Sequence, residues 1–317
     1  MRIASLLASA TEIVCALGLE DRLVAISHEC DHPPGVLDLP RVSRPRFDPA
    51  GMSSGEIDAA VRRAVAEHGG VYVLDDEALR AAAPDLILTQ DVCEVCAVPT
   101  SLARRAAAIL GSRPTILSLD AHRIEDIFRT IGQVAAAAGV PERADRLVAD
   151  LRRRLAAVEA AVAGAPRPRV LALEWLDPVF VPGHWGPEMI ALAGGENLFG
   201  RPAERSRTVP WETLAGADPD ALLIAPCGYG LDAARAEADR HAERVGAIAP
   251  RVFVMDASAY FNRSGPRVVD GVELIAAALH PDRFPALDLS GRLEVWEAAS
   301  TPYLQESSPR DPARNSR

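Results

Sequence analysis

The 317-residue chain is long enough for two domains or one large one, and its 49% hydrophobic and 25% charged residues are typical of globular proteins. A net charge of −10 argues against a nucleic-acid partner, because binding to phosphates needs a basic surface. No apolar run reaches the roughly 18 residues that a membrane span needs, so we expect a chain that does not span a membrane.

The first residues and the cysteines bear on location. Met1 and Arg2 lead directly into the apolar run Ile3–Leu7, which leaves no room for a signal peptide. The sequence therefore predicts a cytoplasmic protein, or a periplasmic or cell-surface one if the true start lies upstream. Five cysteines, an odd number, do not indicate a disulfide framework in a chain of this size, and Cys15 and Cys227 are interpreted as small core residues.

Short apolar strands alternate with helices over the first 140 residues. The predicted strands are Ile3–Leu7, Leu23–Ile26, Val71–Val73, Asp85–Thr89 and Thr115–Leu117. The predicted helices are Ser9–Gly18, Ile57–His68, Asp76–Ala83, a helix that follows Cys96 and ends at Leu110, and Ile124–Ala138. Strands that alternate with helices predict a parallel α/β sheet.

A long helix is predicted near the middle of the chain, over Pro141–Gly164. Its apolar side chains recur at spacings of four and three, which places them on one face: Leu147, Leu151, Leu155, Val158 and Val162. Proline suits the first helical turn and glycine suits a stop. At 1.5 Å per residue the helix would be about 33 Å long. This helix has two interpretations, a stiff connector between two halves of the chain or a surface helix of one large domain.

The strand-and-helix pattern restarts after this helix. The predicted strands are Arg169–Leu173, Asp220–Ile224 and Arg251–Met255. The predicted helices run from Gly186 to Ala193 and over Pro210–Ala215, Leu231–Val245 and Arg267–Leu279, with loops over Glu174–Gly186 and Gly194–Thr208. From Pro285 onward the chain is polar and rich in proline, which predicts a mostly disordered tail over 285–317.

The two halves share a short pattern. Glu77 and Glu212 are each followed by Leu two residues later and by Pro-Asp and an apolar strand, at Pro84 and Pro219. The differences 212 − 77 and 219 − 84 are both 135 residues. The pattern favours two lobes of similar build, 1–140 and 165–284, on a linker helix 141–164, with a ligand cleft between them.

At this point the chain resembles the helix-linked (class III) substrate-binding proteins of ABC importers, and it is most similar to their vitamin B12 (cobalamin)-binding members. The likeness covers about residues 2–282 and is carried by these motifs in order: Ser5-Leu6-Leu7, Ala10-Thr11-Glu12, Val24-Ala25-Ile26-Ser27, Asp31-His32-Pro33, Ala83-Pro84-Asp85-Leu86-Ile87, Gly194-Gly195-Glu196-Asn197-Leu198-Phe199, Val209-Pro210-Trp211 and Pro266-Arg267. The resemblance implies an α/β fold in which one long rigid helix joins two Rossmann-like lobes.

The same resemblance implies non-catalytic binding of a corrinoid, cobalamin, in the inter-lobe cleft of a monomer. The chain would be the substrate-binding component of an ABC uptake system or a cytoplasmic relative of one. Members of the family also serve haem and iron siderophores, so a protein that binds haem or siderophore iron is the alternative. In the family a glutamate on each lobe docks on arginines of the permease, and by position these are Glu77 and Glu212. Helix stabilisation by an acidic first turn is the other interpretation of this pair.

A corrinoid is a large, flat, mostly apolar disc with amide arms, and it needs aromatic walls and a few hydrogen-bond donors. The second lobe offers such side chains in predicted loops at strand ends: Trp175, Phe180, His184, Trp185, Trp211, Tyr260, Phe261 and Arg263. The resemblance places Phe180, Tyr260 and Arg263 at corrin contacts. It also places Glu29 and Gln90 where the B12-binding members have aromatic contacts, and these two departures imply a different ligand or a different pose. The predicted ligand residues are therefore Glu29 and Gln90 together with the second-lobe side chains named above, except Trp211.

The first lobe carries ligand-type side chains in two loops that each follow a strand. His28 and Cys30 with Cys93 and Cys96 would complete a tetrahedral site for zinc or another transition metal. A redox dithiol, direct contact with corrinoid cobalt, and cysteines without a ligand are the alternatives. The other histidines are interpreted as solvated: His68, His122, His241 and His280.

Signatures of catalysis are missing from the sequence. It has no Gly-x-Ser-x-Gly motif and no phosphate-binding glycine-rich loop after the first strand, so we expect no enzyme. A cytoplasmic protein that handles metal or corrinoid through the Cys/His site is the other class that remains open.

Overall fold

The structure, a computed structural model, describes residues 1–91, 100–108 and 113–297. Its strands are β1 Ile3–Ser5, β2 Leu23–Ala25, β3 Ser43–Pro45, β4 Tyr72–Leu74, β5 Leu86–Thr89, β6 Thr115–Ser118, β7 Arg169–Leu173, β8 Trp175–Leu176, β9 Val179–Val181, β10 Glu196–Leu198, β11 Arg207–Thr208, β12 Ala221–Ile224, β13 Val252–Met255 and β14 Leu293–Val295. Its α-helices are α1 Ala8–Ala16, α2 Ser54–His68, α3 Asp76–Ala82, α4 Thr100–Ala108, α5 Ile124–Ala137, α6 Pro141–Val162, α7 Gly186–Leu192, α8 Trp211–Ala215, α9 Leu231–Arg240, α10 Ala242–Ile248, α11 Ala257–Tyr260 and α12 Val268–Leu279.

Each half of the chain builds its own sheet. The first sheet is parallel throughout, in the order β2-β1-β5-β6. The second has the order β10-β7-β12-β13-β14, and only its edge strand β14 is antiparallel. The central strands β5, β12 and β13 are buried along their whole length, as expected of parallel strands covered on both faces. The predicted α/β fold of two lobes on one long helix is confirmed.

The repeated Pro-Asp pattern has a structural cause. The carboxylate Oδ2 of Asp85 accepts a hydrogen bond from the backbone N–H of Arg2, at 2.8 Å, just before the first strand of the first lobe. In the second lobe Asp220 Oδ2 accepts from the N–H of Arg169 at 2.7 Å. Each aspartate therefore ties the start of its own strand to the neighbouring strand, in the same way in both lobes.

Helix α6 is the linker, and its 22 residues make it about 33 Å long. It packs against α5 of the first lobe and against α7 and α12 of the second. Leu151, Leu155 and Val158 are buried, and they belong to one hydrophobic cluster that runs from Ile3 in the first sheet to Leu279 in the second lobe. One face of the linker is therefore part of a core that both lobes share.

Ion pairs reinforce this packing. Arg152 of the linker pairs with Glu125 of α5, and Arg154 pairs with Asp270 and Glu273 of α12. The helix ends two residues before Gly164, whose φ of +72° suits the chain reversal that follows.

Several short elements differ from the prediction. The loop predicted from Glu174 contains the hairpin β8–β9, which β11 extends. Strand β3, at a position where no strand was predicted, pairs with β4. The helix predicted over Leu231–Val245 is divided at His241 into α9 and α10. Strands of two or three residues carry too little periodicity to be recognised, and they form here because neighbouring strands supply their hydrogen bonds.

The predicted tail from Pro285 onward is wrong at its beginning. Leu293–Val295 forms β14 on the edge of β13, and Trp296 is buried and donates from Nε1 to Asp239 Oδ1 at 2.8 Å. The open edge of β13 stabilises this segment, a tertiary effect that local composition does not reveal. Residues 298–317 lie outside the described part. Among the helices that are described, none is both long and apolar enough to cross a bilayer.

Candidate ligand cleft

The carboxyl ends of the two parallel sheets face each other. The segment after β13 carries Arg263, which binds Asp31 in the loop after β2. The loop after β6 carries His122, which meets His184 in the segment after β9. Ligands of α/β proteins bind where strand ends and their loops meet, so this inter-lobe cleft is the candidate site.

Four charged side chains join the lobes at one end of the cleft, and we call Glu12, Asp31, Arg263 and Arg267 the inter-lobe latch. Arg263 donates from Nη1 and Nη2 to the two carboxylate oxygens of Asp31 and from Nη1 to Glu12 Oε1, at 3.1 Å. Arg267 donates to both oxygens of Glu12, at 2.9 and 2.6 Å. Glu12, on α1, has a side chain only 3% exposed and accepts from two guanidinium groups.

Mutual attraction fixes the charges of the latch. Burial alone would raise the pKa of Asp31, but the hydrogen bond and positive charge of Arg263 outweigh it and lower that pKa. Burial would lower the pKa of Arg263, but Asp31 and Glu12 raise it above its ordinary value. Two cations thus face two carboxylates. Arg263 also donates from Nη2 to Ser258 Oγ and to the backbone oxygen of Glu29, so both of its Nη groups are used within the protein.

Sequence reasoning missed three members of the latch. Arg263 was predicted as a ligand contact, whereas Glu12, Asp31 and Arg267 were not predicted as site residues. All three lie in motifs that carry the family likeness: Ala10-Thr11-Glu12, Asp31-His32-Pro33 and Pro266-Arg267. The pairing of Glu12 with Arg267 spans 255 residues and requires knowledge of the fold.

Aromatic side chains form one wall of the cleft in the second lobe. Trp175 pairs with Phe180 across the β8–β9 hairpin, and its ring meets that of Tyr229 edge-on at 5.3 Å between centroids. Its Nε1 donates to Ser54 O of the first lobe, at 3.2 Å, and to Asp177 O at 3.0 Å. The half-buried Trp175 therefore forms a second inter-lobe contact.

Two predicted ligand residues next to this wall have structural roles. Phe261, a predicted ligand residue, is 1% exposed and packs on Gly186, so its ring belongs to the core in this structure. Trp185 is half-buried, packs on the same core and donates from Nε1 to Phe261 O at 2.7 Å. Tyr260 stays half-buried, and the guanidinium of Arg267 lies 5.5 Å from its ring centroid.

A third inter-lobe contact involves two histidines. The Nδ1 atoms of His122 and His184 lie 3.4 Å apart, and beside them Arg123 binds Glu188. Burial, followed by the charges of His122 and Arg205, lowers the pKa of His184. His122 is exposed, as predicted, but its pairing was not foreseen, since its partner lies 62 residues away.

The remaining residues lie at strand ends, Gln90 and Glu29 in the first lobe and Cys227 in the second. Gln90 directly follows β5 and is 8% exposed. Glu29 is exposed and pairs with His28 Nε2 at 3.1 Å, and the hydrogen bond to His28 is the main reason that the pKa of Glu29 is lowered. Cys227 follows β12 and is exposed, so its interpretation as a core residue is wrong.

The predicted Cys/His metal site finds no support in the described residues. Cys30 is 1% exposed, and its Sγ lies 3.0 Å from Thr11 Oγ1 and 3.4 Å from Ser27 Oγ. His28 Nδ1 lies 2.8 Å from Ser43 Oγ. Both side chains are therefore engaged within the first lobe, while Cys93 and Cys96 lie outside the described residues. Nowhere in 1–91, 100–108 and 113–297 do three or more metal-binding side chains form a cluster.

The two glutamates predicted to meet a permease occupy equivalent surfaces. Glu77 lies in the first turn of α3 and Glu212 in the first turn of α8, and both are exposed. The helices lead into β5 and β12, the strands that the Pro-Asp pattern marks in each lobe.

Two α/β lobes on a single helix, with facing strand ends that carry aromatic and paired charged side chains, define a two-lobed solute-binding protein. The chain belongs to the Periplasmic binding protein family, which it matches over residues 3–256.

Named relatives extend this assignment. The chain is 26% identical to the Vitamin B12-binding protein of Vibrio cholerae over 280 residues, 88% of each chain. It is 24% identical to the substrate-binding lipoprotein YvrC of an ABC transporter of Bacillus subtilis, over 89% of this chain and 81% of that one.

Solved structures share the fold. A periplasmic heme-binding protein from Pseudomonas aeruginosa matches with a TM-score of 0.67 at 24% identity, over 94% of this chain and 95% of that one. The periplasmic vitamin B12-binding protein BtuF of Vibrio cholerae matches with a TM-score of 0.60 at 24% identity, over 88% and 96%.

Proposed function

We propose that this chain is the ligand-binding component of an ABC uptake system and that it binds a cobalamin-type corrinoid between its lobes. The family and the facing strand ends support solute binding in the cleft. The half-buried rings of Trp175, Phe180 and Tyr229 supply an aromatic wall of the kind that a flat, apolar ligand needs. The curated relatives that bind vitamin B12 support the choice of ligand.

The observation that carries this choice is the charge balance of the inter-lobe latch. A porphyrin with carboxylate arms needs cations that are free to pair with it, and a corrinoid with amide arms does not. Arg263 and Arg267 are already paired with Asp31 and Glu12, which leaves a neutral group of four at this end of the cleft. Glu12 is only 3% exposed, so removing Arg267 from it would leave a buried carboxylate with one cation fewer. The latch therefore favours a ligand without carboxylates.

Parallel titrations test the ligand. Cyanocobalamin and haemin are each titrated into the purified chain, and tryptophan fluorescence and the absorbance of the ligand are recorded. We expect one cobalamin per chain and weaker binding of haemin. No spectral change with any form of cobalamin at micromolar protein would refute the proposal. Tighter binding of haemin would refute the argument from the latch and favour the haem alternative.

A matched pair of tryptophan variants locates the site. Trp175→Leu removes the half-buried aromatic ring from the wall, and we expect cobalamin affinity to fall about fivefold, as for a loss of about 1 kcal/mol of aromatic contact. Trp296→Leu removes a ring at the far edge of the second sheet and leaves affinity unchanged. Equal affinities of the two variants would place the ligand elsewhere.

We also propose that Glu77 and Glu212 dock on the permease. One exposed carboxylate per lobe, each in the first turn of a short helix, forms a two-point contact for basic side chains of a partner. The double variant Glu77→Ala/Glu212→Ala is expected to keep its corrinoid affinity and to lose uptake in cells that carry the cognate permease and ATPase. Glu67→Ala, an exposed residue on α2, is the control that retains both. Full uptake by the double variant would reject the docking surface.

Cell fractionation accompanies the uptake assay, because an import permease receives its ligand outside the cytoplasm. A protein found in the cytoplasm would contradict the uptake role, whereas the corrinoid titration would still test binding. The two parts of the proposal are therefore separable.

A further inference from the structure

The two histidines of the third inter-lobe contact have the spacing of a chelating pair. Their Nδ1 atoms are 3.4 Å apart and their ring centroids are 5.4 Å apart, with planes inclined by 40°. Two nitrogens that bind one tetrahedral ion at about 2.0–2.1 Å from the metal lie about 3.3–3.4 Å from each other. A single ion can therefore bind both rings with little movement.

Both histidines are held by their own backbone contacts. The N–H of His122 donates to Asp126 Oδ2 at 3.0 Å, at the start of α5. The N–H of His184 donates to Glu204 O at 2.7 Å, and its carbonyl accepts from Ala203 at 3.0 Å. These contacts fix the segments that carry the rings, so the pair is positioned before any ion arrives.

A salt bridge beside the pair holds the same two segments together. Arg123 follows His122 directly and binds Glu188 of α7, and the other carboxylate oxygen of Glu188 accepts from the N–H of Ile124 at 2.9 Å. A direct hydrogen bond between two neutral imidazoles is the competing explanation, but the 3.4 Å separation exceeds the 2.7–3.2 Å range usual for donors on nitrogen.

We propose that His122 and His184 bind one borderline divalent cation, such as Ni²⁺, Zn²⁺ or Cu²⁺, through their Nδ1 atoms, and that this ion links the two lobes at the edge of the cleft. No third Cys, His, Asp or Glu joins the pair among the side chains described, so water or a donor of a bound solute completes the coordination. Imidazole suits these ions, and the Irving–Williams order predicts tighter binding of Cu²⁺ than of Ni²⁺. The site is separate from the predicted Cys/His site and does not require that the ligand be a corrinoid.

Metal titration of histidine variants tests the proposal. The full chain, without a histidine tag, carries Cys93→Ser and Cys96→Ser so that these thiols do not compete, and it is dialysed against chelator. Calorimetry with NiCl₂ and CuCl₂ is expected to show one ion per chain. His122→Asn and His184→Asn are each expected to weaken binding at least tenfold, while His68→Asn, at an exposed position on α2, leaves it unchanged.

Spectroscopy separates this site from adventitious binding. The electron paramagnetic resonance spectrum of one bound Cu²⁺ is expected to show coupling to two imidazole nitrogens in the parent protein and to one in either single variant. Ni²⁺ is expected to raise the Tm of the parent more than that of the variants, because an ion that binds the folded chain and not the unfolded one stabilises the folded state. Equal affinities in the parent and both variants, or a Cu²⁺ spectrum that neither variant changes, would overturn the proposal.

Discussion

Replacement of Glu12 by glutamine is expected to weaken the inter-lobe latch more than any exposed charge substitution does. The Glu12 side chain is 3% exposed, and its two oxygens accept three hydrogen bonds from Arg263 and Arg267. The amide of glutamine keeps the shape but removes the charge, and it supplies an N–H where one of these donors points. Arg267 then loses the carboxylate that it binds, and Arg263 keeps Asp31 as its only carboxylate partner in the latch.

The size of the effect follows from burial. Breaking a buried ion pair by altering one partner costs about 3–5 kcal/mol, whereas an exposed pair is worth less than about 1 kcal/mol. We expect Glu12→Gln to lower the free energy of unfolding by about 3 kcal/mol, which corresponds to a fall in Tm of about 6 °C at roughly 2 °C per kcal/mol.

The control is Glu125→Gln. Glu125 pairs with Arg152, but the two side chains are 68% and 55% exposed, so its Tm is expected to change by less than about 2 °C. Thermal and urea unfolding of both variants, followed by circular dichroism, measures the difference. Equal shifts for Glu12→Gln and Glu125→Gln would show that the latch contributes no more than a surface pair, and the argument from burial would be wrong.

Three further predictions concern the latch, the linker and the thiols. Because the folded-state pKa of Asp31 is lowered, the stability that this residue contributes is complete above about pH 4 and is lost as the pH falls through the lowered value. Asp31→Asn should therefore remove that part of the acid dependence of unfolding between pH 2 and 5, and an unchanged pH profile would contradict this. The shared core around α6 predicts only a small rocking of the lobes on ligand binding; a closure of tens of degrees in solution scattering would contradict it. In a Cys93→Ser/Cys96→Ser background, Ellman's reagent should label only the exposed Cys227 of the native protein. Burial raises the pKa of Cys15 to about 11 and also raises that of Cys30, so these two thiols react slowly. Three labelled thiols before unfolding would contradict this.

The elements that sequence reasoning predicted well are those with strong local patterns. The apolar stripe of the linker, with Leu151, Leu155 and Val158 buried as expected, located α6 to within two residues of its end. The Pro-Asp pattern marked β5 and β12, because in each lobe the aspartate accepts from a backbone N–H at the start of the neighbouring strand. Such signals depend on near neighbours in the chain, so the sequence contains them.

What could not be predicted depends on contacts across the fold. Strand β14 exists because β13 offers a free edge, and its three residues show no alternation of their own. The family resemblance placed Arg263 at the ligand, and its pairing with Glu12 and Asp31 could not be foreseen because these carboxylates lie more than 230 residues away in sequence. Phe261, which was expected to face the cleft, is buried, and Cys227, which was expected in the core, is exposed. Residue type alone does not indicate which side of a strand-end loop faces solvent.

The length of the linker helix has a consequence for how this protein can vary. Each residue inserted into α6 advances the chain by 1.5 Å and rotates everything after it by about 100°. One additional residue would turn the second lobe away from the first, so that neither Arg263 nor His184 could reach its partner. Seven additional residues would nearly restore the rotation but would separate the lobes by about 10 Å. Insertions and deletions should therefore be tolerated in surface loops and not within Pro141–Val162, because the contacts between the lobes fix both the rotation and the length of this helix.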